Sequence, residues 1–80
     1  MVSNAQKRII RALKNGSTLK SHRYLDGTKI YQLHHLDGTG TTMRQKTVAI
    51  LRLRGFIQGN HKFPAATYVL TEKGKQLNID

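Results

Sequence analysis

Apolar residues recur at helical spacing along the first stretch of the chain. At 100° per residue Ala5, Ile9, Ala12 and Leu13 share one face, with Ile10 at its edge, while Lys7, Arg11 and Lys14 form a stripe opposite. This pattern predicts a helix over residues 3–15. Ser3 and Gln6 have the S-x-x-Q spacing of a capping box, and Gly16 stands where a left-handed C-cap is expected. A second helical pattern covers 41–54. Met43, Thr47, Val48, Ile50 and Leu51 lie on one side and Gln45, Lys46, Ala49 and Arg52 on the other. Thr41 or Thr42 is the expected N-cap. Gly55 is the expected stop, and Arg52 and Arg54 suit the negative end of the helix dipole.

Between these helices the period changes. The tetrapeptide Leu25-Asp26-Gly27-Thr28 recurs as Leu36-Asp37-Gly38-Thr39. Asp-Gly is a hairpin-turn signal, because Gly tolerates positive φ and Asp caps the turn. The run between the repeats, Lys29-Ile30-Tyr31-Gln32-Leu33-His34, favours strand. The reading is a strand over 18–24, a turn, a strand over 29–35 and a second turn, with a short helix over 18–24 as the competing reading. After Gly55, residues 56–58 start a strand, 59–64 form a loop and 66–70 return as a strand. Thr71 caps a short helix over 72–77 that Gly74 weakens. The fold class is α+β, one domain over 1–80, in the order α-β-β-α-β-β-α. No linker, low-complexity segment or targeting signal stands out.

Composition narrows the function. At 38% hydrophobic the chain is rich enough in apolar residues to fold. With no Cys it has no disulfide, no thiolate zinc site and no Cys nucleophile, which fits a reducing cytoplasm. The longest apolar run, Val48-Ala49-Ile50-Leu51, is too short to cross a bilayer, so no membrane partner is expected. Fourteen Lys and Arg face four Asp and Glu, for a net charge of +10. Eleven of the fourteen fall in two acid-free blocks: Lys7, Arg8, Arg11, Lys14, Lys20 and Arg23 before Asp26, and Arg44, Lys46, Arg52, Arg54 and Lys62 between Met43 and Lys62. A solvated surface usually mixes both signs. The segregation therefore points to a polyanion, nucleic acid ahead of an anionic membrane surface or an acidic protein. An enzyme is not expected: there is no acidic pair, no Gly-rich phosphate loop before a helix and no nucleophile with a base at useful spacing. No cofactor or metal is expected either. His22, His34, His35, Asp26 and Asp37 read as polar residues of an exposed hairpin, since adjacent His34 and His35 on a strand point to opposite faces.

Two stretches carry a family resemblance: Thr47-Val48-Ala49-Ile50-Leu51-Arg52-Leu53-Arg54-Gly55-Phe56-Ile57, and Tyr68-Val69-Leu70-Thr71-Glu72-Lys73-Gly74. Together, over about residues 41–77, they resemble the second half of winged helix-turn-helix domains of prokaryotic regulators. There a recognition helix ends in an L-x-x-R/K-G-hydrophobic-I step and a two-stranded wing runs into Y-x-L-T-x-x-G. The resemblance places Thr41, Thr42, Arg44, Gln45, Lys46, Ala49 and Arg52 on the recognition helix and His61 and Lys62 at the wing tip. The side-chain chemistry suits those places. Gln45 can bond adenine and Arg44 guanine, and small Ala49 lets the helix approach base edges. Lys46, Arg52, Arg54 and Lys62, with Lys7, Arg8 and Arg11 of the first helix, are phosphate ligands, and Thr41 and Thr42 can join them at a helix N-terminus. Phe63 reads as a core plug. The chain departs from the family in its first half, where two Asp-Gly turns and strand-like residues replace the usual second helix. The element order also resembles a small bacterial toxin-like family that inhibits a type I topoisomerase.

The expected function is therefore double-stranded DNA binding through the 41–54 helix and the 59–65 wing, in a transcriptional regulator of phage or mobile-element type. Its expected location is cytoplasmic and nucleoid-associated. The alternatives are a protein inhibitor of a nucleic-acid enzyme (topoisomerase, polymerase or nuclease) and an RNA-binding module. A monomer reads only a few base pairs, so a site-specific protein would need a homodimer or a protein partner, with Leu53 available for the interface.

Overall fold

Twin turns fold the middle of the chain into a meander. The computed structural model describes residues 2–60 and 65–78. Along these run α1 (Asn4–Lys14), β1 (Thr18–Arg23), β2 (Lys29–His34), β3 (Gly40–Met43), α2 (Gln45–Leu53), β4 (Ile57–Gly59), β5 (Ala65–Leu70) and α3 (Glu72–Lys75). In each turn the Asp Oδ1 accepts the backbone N–H of the Thr two residues on, at 2.9 Å for Asp26–Thr28 and for Asp37–Thr39. Gly27 and Gly38 both take φ +91°, the left-handed conformation that this turn chemistry requires. The first turn joins β1 to β2 and the second joins β2 to β3, all antiparallel. The hairpin reading of 18–35 holds, and the competing helix over 18–24 does not form.

The protein is thus a small α+β fold of three helices on a five-stranded antiparallel sheet, ordered β3-β2-β1-β5-β4. The expected order lacked β3. The helical pattern places 41–43 at the head of the second helix, but residues 40–43 pair with β2, Thr41 opposite Leu33 and Thr42 opposite Gln32. Thr suits an N-cap and a strand alike. The second Asp-Gly turn aims the chain back along β2, and the ladder claims these residues. Helix α2 therefore begins only at Gln45, with Arg44 at the N-cap position and no side-chain cap hydrogen bond.

Both long helices cover the same face of the sheet. Helix α1 lies over β1 and β5, α2 over β2 and β4, and the two touch each other. Beneath them Leu19, Leu33, Met43, Ile57, Ala66 and Tyr68 meet Ile9, Ile10, Val48 and Leu51 in one core. The capping box of α1 forms as expected, with the Gln6 N–H donating to Ser3 Oγ at 3.2 Å and the Ser3 N–H to Gln6 Oε1 at 3.3 Å. The helix is rolled relative to the simple wheel: Gln6 is buried, while Ala5, expected in the core, is exposed.

The segment after α2 explains part of the sequence resemblance in structural terms. Thr71 caps α3 by accepting the Gly74 N–H at 3.1 Å, and its hydroxyl donates back to the Gly55 carbonyl. The Thr71 N–H donates to the Phe56 carbonyl at 3.0 Å. Gly74 packs directly on that carbonyl, and a methyl group placed there would overlap the Phe56 oxygen. The T-x-x-G pattern ties the start of β4 to α3.

Two predictions follow from these contacts. Gly74→Ala should destabilise the domain by about 2–4 kcal/mol in urea denaturation, with the fold retained at low denaturant. The turns supply the second. The Thr28 backbone N–H at Asp26 and the Thr39 hydroxyl at Asp37 are the main causes that hold both carboxyls below their ordinary value. A depressed carboxylate contributes stability above its unfolded pKa of about 4 and loses it as pH falls through the lower folded value. Stability should therefore decline below about pH 4, and Asp26→Ala with Asp37→Ala should lower stability at neutral pH and flatten that acid-side decline.

Candidate nucleic-acid interface

Helix α1 presents hydrogen-bond donors along one side. Asn4, Lys7, Arg8, Arg11 and Asn15 follow one another at helical spacing and line an open cleft of about 650 Å³. Ala12, Ser17 and His35 complete its walls, and none of the lining residues is acidic. The three α1 cations expected to hold phosphate are thus brought together. Charge alone marked them out. The flanking asparagines and His35 were not expected, although the spacing from Asn4 to Asn15 is a legible helical stripe.

His35 builds the wall opposite α1. Its Nδ1 lies 3.3 Å from Ser17 Oγ and its Nε2 3.0 Å from Thr41 Oγ1. Either hydroxyl can donate or accept, so both ring nitrogens are satisfied whichever carries the proton. The ring joins the α1–β1 connection to β3. Thr41 is therefore a structural partner on β3 and does not sit on the second helix. Thr42, also expected there, is exposed on β3 beside Gln32. His34 is exposed on its strand, and His35 faces the helices. Among the described residues no three His, Asp or Glu side chains gather into a metal-holding group.

The second cationic surface forms at one end of the sheet. Arg23 pairs with Lys29 at the β1–β2 turn, and Tyr31 pairs with Met43, so Arg44, Gln45 and Lys46 enter α2 at that same end. Arg44, Gln45 and Lys46 are exposed. Asp26 lies in the nearby turn with its carboxylate held by Thr28. His61, Lys62 and Phe63, expected at the wing, lie outside the described residues. Ala49 and Arg52 sit farther along α2 and share a cleft of about 470 Å³ with Leu53, Ile57, Gln58 and Gly59. Leu53 is 87% exposed beside them.

Beneath α2 lies a polar cluster that the sequence pattern did not disclose. Tyr68 is only 2% exposed, its ring 5.9 Å from that of Tyr31, with buried Ser21 beside both. The Arg52 guanidinium lies 5.8 Å from the Tyr68 ring centroid and the Lys29 ammonium 5.3 Å from that of Tyr31. Burial pushes the Tyr68 phenol up. The Ser21 hydrogen bond, the Lys29 charge, the Tyr31 hydrogen bond and the Arg52 charge outweigh it and leave the phenol below its ordinary value. The cluster fixes the underside of Arg52 through a cation–π contact and leaves its donors available at the surface.

No family model matches this chain, and neither do curated proteins or solved structures. Among the described residues no helix is long and apolar enough to cross a membrane.

The cluster is tested by Tyr68→Phe, which keeps the ring and removes the hydroxyl. Leaving buried Ser21 without this partner should cost about 1–3 kcal/mol of stability in chemical denaturation, with an unchanged circular dichroism spectrum.

Proposed function

We propose that this protein binds nucleic acid, duplex DNA in preference, through the cationic surface of its helical layer. The observation that carries the reading is the cleft along α1, without an acid in its lining, where Asn4 and Asn15 flank Lys7, Arg8 and Arg11. Guanidinium and ammonium groups hold phosphate oxygens. Asn pairs bidentately with adenine and Arg with guanine in the major groove. The exposed Arg44, Gln45 and Lys46 extend the surface at the head of α2, where first-turn N–H groups have no side-chain cap. In this reading α1 takes a share of the contact that the resemblance to winged helix-turn-helix domains gives to the second helix and the wing. The three-stranded meander between the helices replaces that family's second helix, so the two helices present together rather than as a helix-turn-helix pair. Regulation of transcription is the role such a module would serve, with exposed Leu53 in its shallow cleft as the contact for a second copy or a protein partner.

Duplex affinity, measured by fluorescence anisotropy across a salt series, should fall linearly in log–log form with a slope that counts the phosphates neutralised. Lys7→Glu with Arg8→Glu, and separately Arg44→Glu with Lys46→Glu, should each weaken binding by roughly tenfold or more and reduce the slope by about 2. Absence of duplex binding at low salt, or unchanged affinity in both double variants, defeats the reading.

A further inference from the structure

The helices cover one face of the sheet and leave the other bare. On that bare face His22, Tyr24, Ile30, Gln32 and His34 surround Lys20 and, with Ser21, line a shallow depression of about 300 Å³. None of the five strands contains an Asp or Glu. The register fixes the arrangement. Lys20 lies between Gln32 on β2 and Thr67 on β5, His22 lies opposite Ile30, and Thr18 lies opposite His34. Ile30 and His34 are four residues apart on β2, so His22 and His34 stand about 13 Å apart along the strands with Lys20 and Gln32 between them. At one end His22 and Tyr24 meet edge to face, with centroids 4.7 Å apart and planes at 69°. An edge contact leaves ring faces free for stacking. Tyr24 is 48% exposed, and His22 and His34 are exposed as well.

We propose that this open face binds single-stranded nucleic acid, with one base stacked on the His22–Tyr24 pair, another on His34, and the phosphate between them at Lys20. The chemistry selects that occupant. Separated aromatic rings around a cation, on a flat surface without acids, match unstacked bases joined by a charged backbone. A duplex keeps its base faces stacked inside and has nothing to offer these rings. A second copy of the chain would bring the same cation and histidines against themselves, and Ile30 and Val69 are too few apolar side chains to hold such an interface. The face lies on the side of the sheet away from α1 and α2, so it is independent of the duplex surface.

The test is anisotropy with labelled oligo-dT, oligo-U and a duplex, on the full chain. Substituting His22→Ala with Tyr24→Ala should weaken oligo-dT or oligo-U binding by roughly tenfold or more, since each stacked base contributes that order of affinity, while duplex affinity is unchanged. His34→Ala should act in the same direction, and Lys20→Gln should lower the single-strand salt slope by about 0.7. These side chains are exposed or at the surface, and circular dichroism checks that the variants fold. Comparing oligo-dT with oligo-U tells DNA from RNA. Unchanged single-strand affinity in the double variant overturns the proposal, as does absence of single-strand binding by the wild type at low salt. Equal losses for duplex and single strand also overturn it, since they would mean one shared site. Loss of duplex binding alone in the Lys7→Glu, Arg8→Glu variant leaves this proposal standing and separates it from the duplex reading.

Discussion

Four residue pairs join the two halves of the chain: Leu19 with Tyr68, Lys20 with Thr67, Ser21 with Ala66 and His22 with Ala65. Before them stand a helix and a three-stranded meander. After the meander come α2, the β4–β5 hairpin and a short helix. A hairpin of this size is marginal alone in water. The β1–β5 ladder makes one sheet of the two parts and puts β1 at its centre. It also sets Ser21 against the Tyr68 hydroxyl, which a buried phenol requires. The same pairing gives α1 a floor of two strands from opposite ends of the sequence, and it gives Arg52 an aromatic ring to rest on. The positions of both cationic surfaces depend on it.

Local chemistry was legible in the sequence and non-local chemistry was not. The Asp-Gly turns and the capping box were readable because donor and acceptor lie two or three residues apart. Gly16 and Gly55 end their helices at positive φ, as their places after Asn15 and Arg54 imply. Strand β3 was missed because Thr41 and Thr42 are compatible with both readings, and only the proximity of β2 decides between them. Gln6 went inward in place of Ala5 because the roll of a helix on a sheet is set by the strands under it. The cations of α1 were found from charge alone. His35 was not, because its task depends on Ser17 and Thr41, one on each side of the meander.

The resemblance to winged helix-turn-helix domains rests on residues 47–57 and 68–74, and the two stretches meet around Thr71 and Gly74. In this fold those residues tie α3 to the β4 strand start through the Gly55 and Phe56 carbonyls. The exposed cations and rings lie elsewhere, on the outer side of α1, at the head of α2 and on the bare face of the sheet.

The acids of this chain are nearly all engaged locally. Asp26 and Asp37 hold their own turns, and the Glu72 carboxylate lies 3.7 Å from the Lys75 ammonium. Asp80, the fourth, lies outside the described residues. Fourteen cations against four acids leave a net charge of +10, whose self-repulsion works against the compact state. Counter-ions from solution must supply what the sequence withholds. A polyanion laid across the helical layer would do more than occupy a site: by relieving that repulsion it would stabilise the folded chain, so that folding and binding become one linked equilibrium.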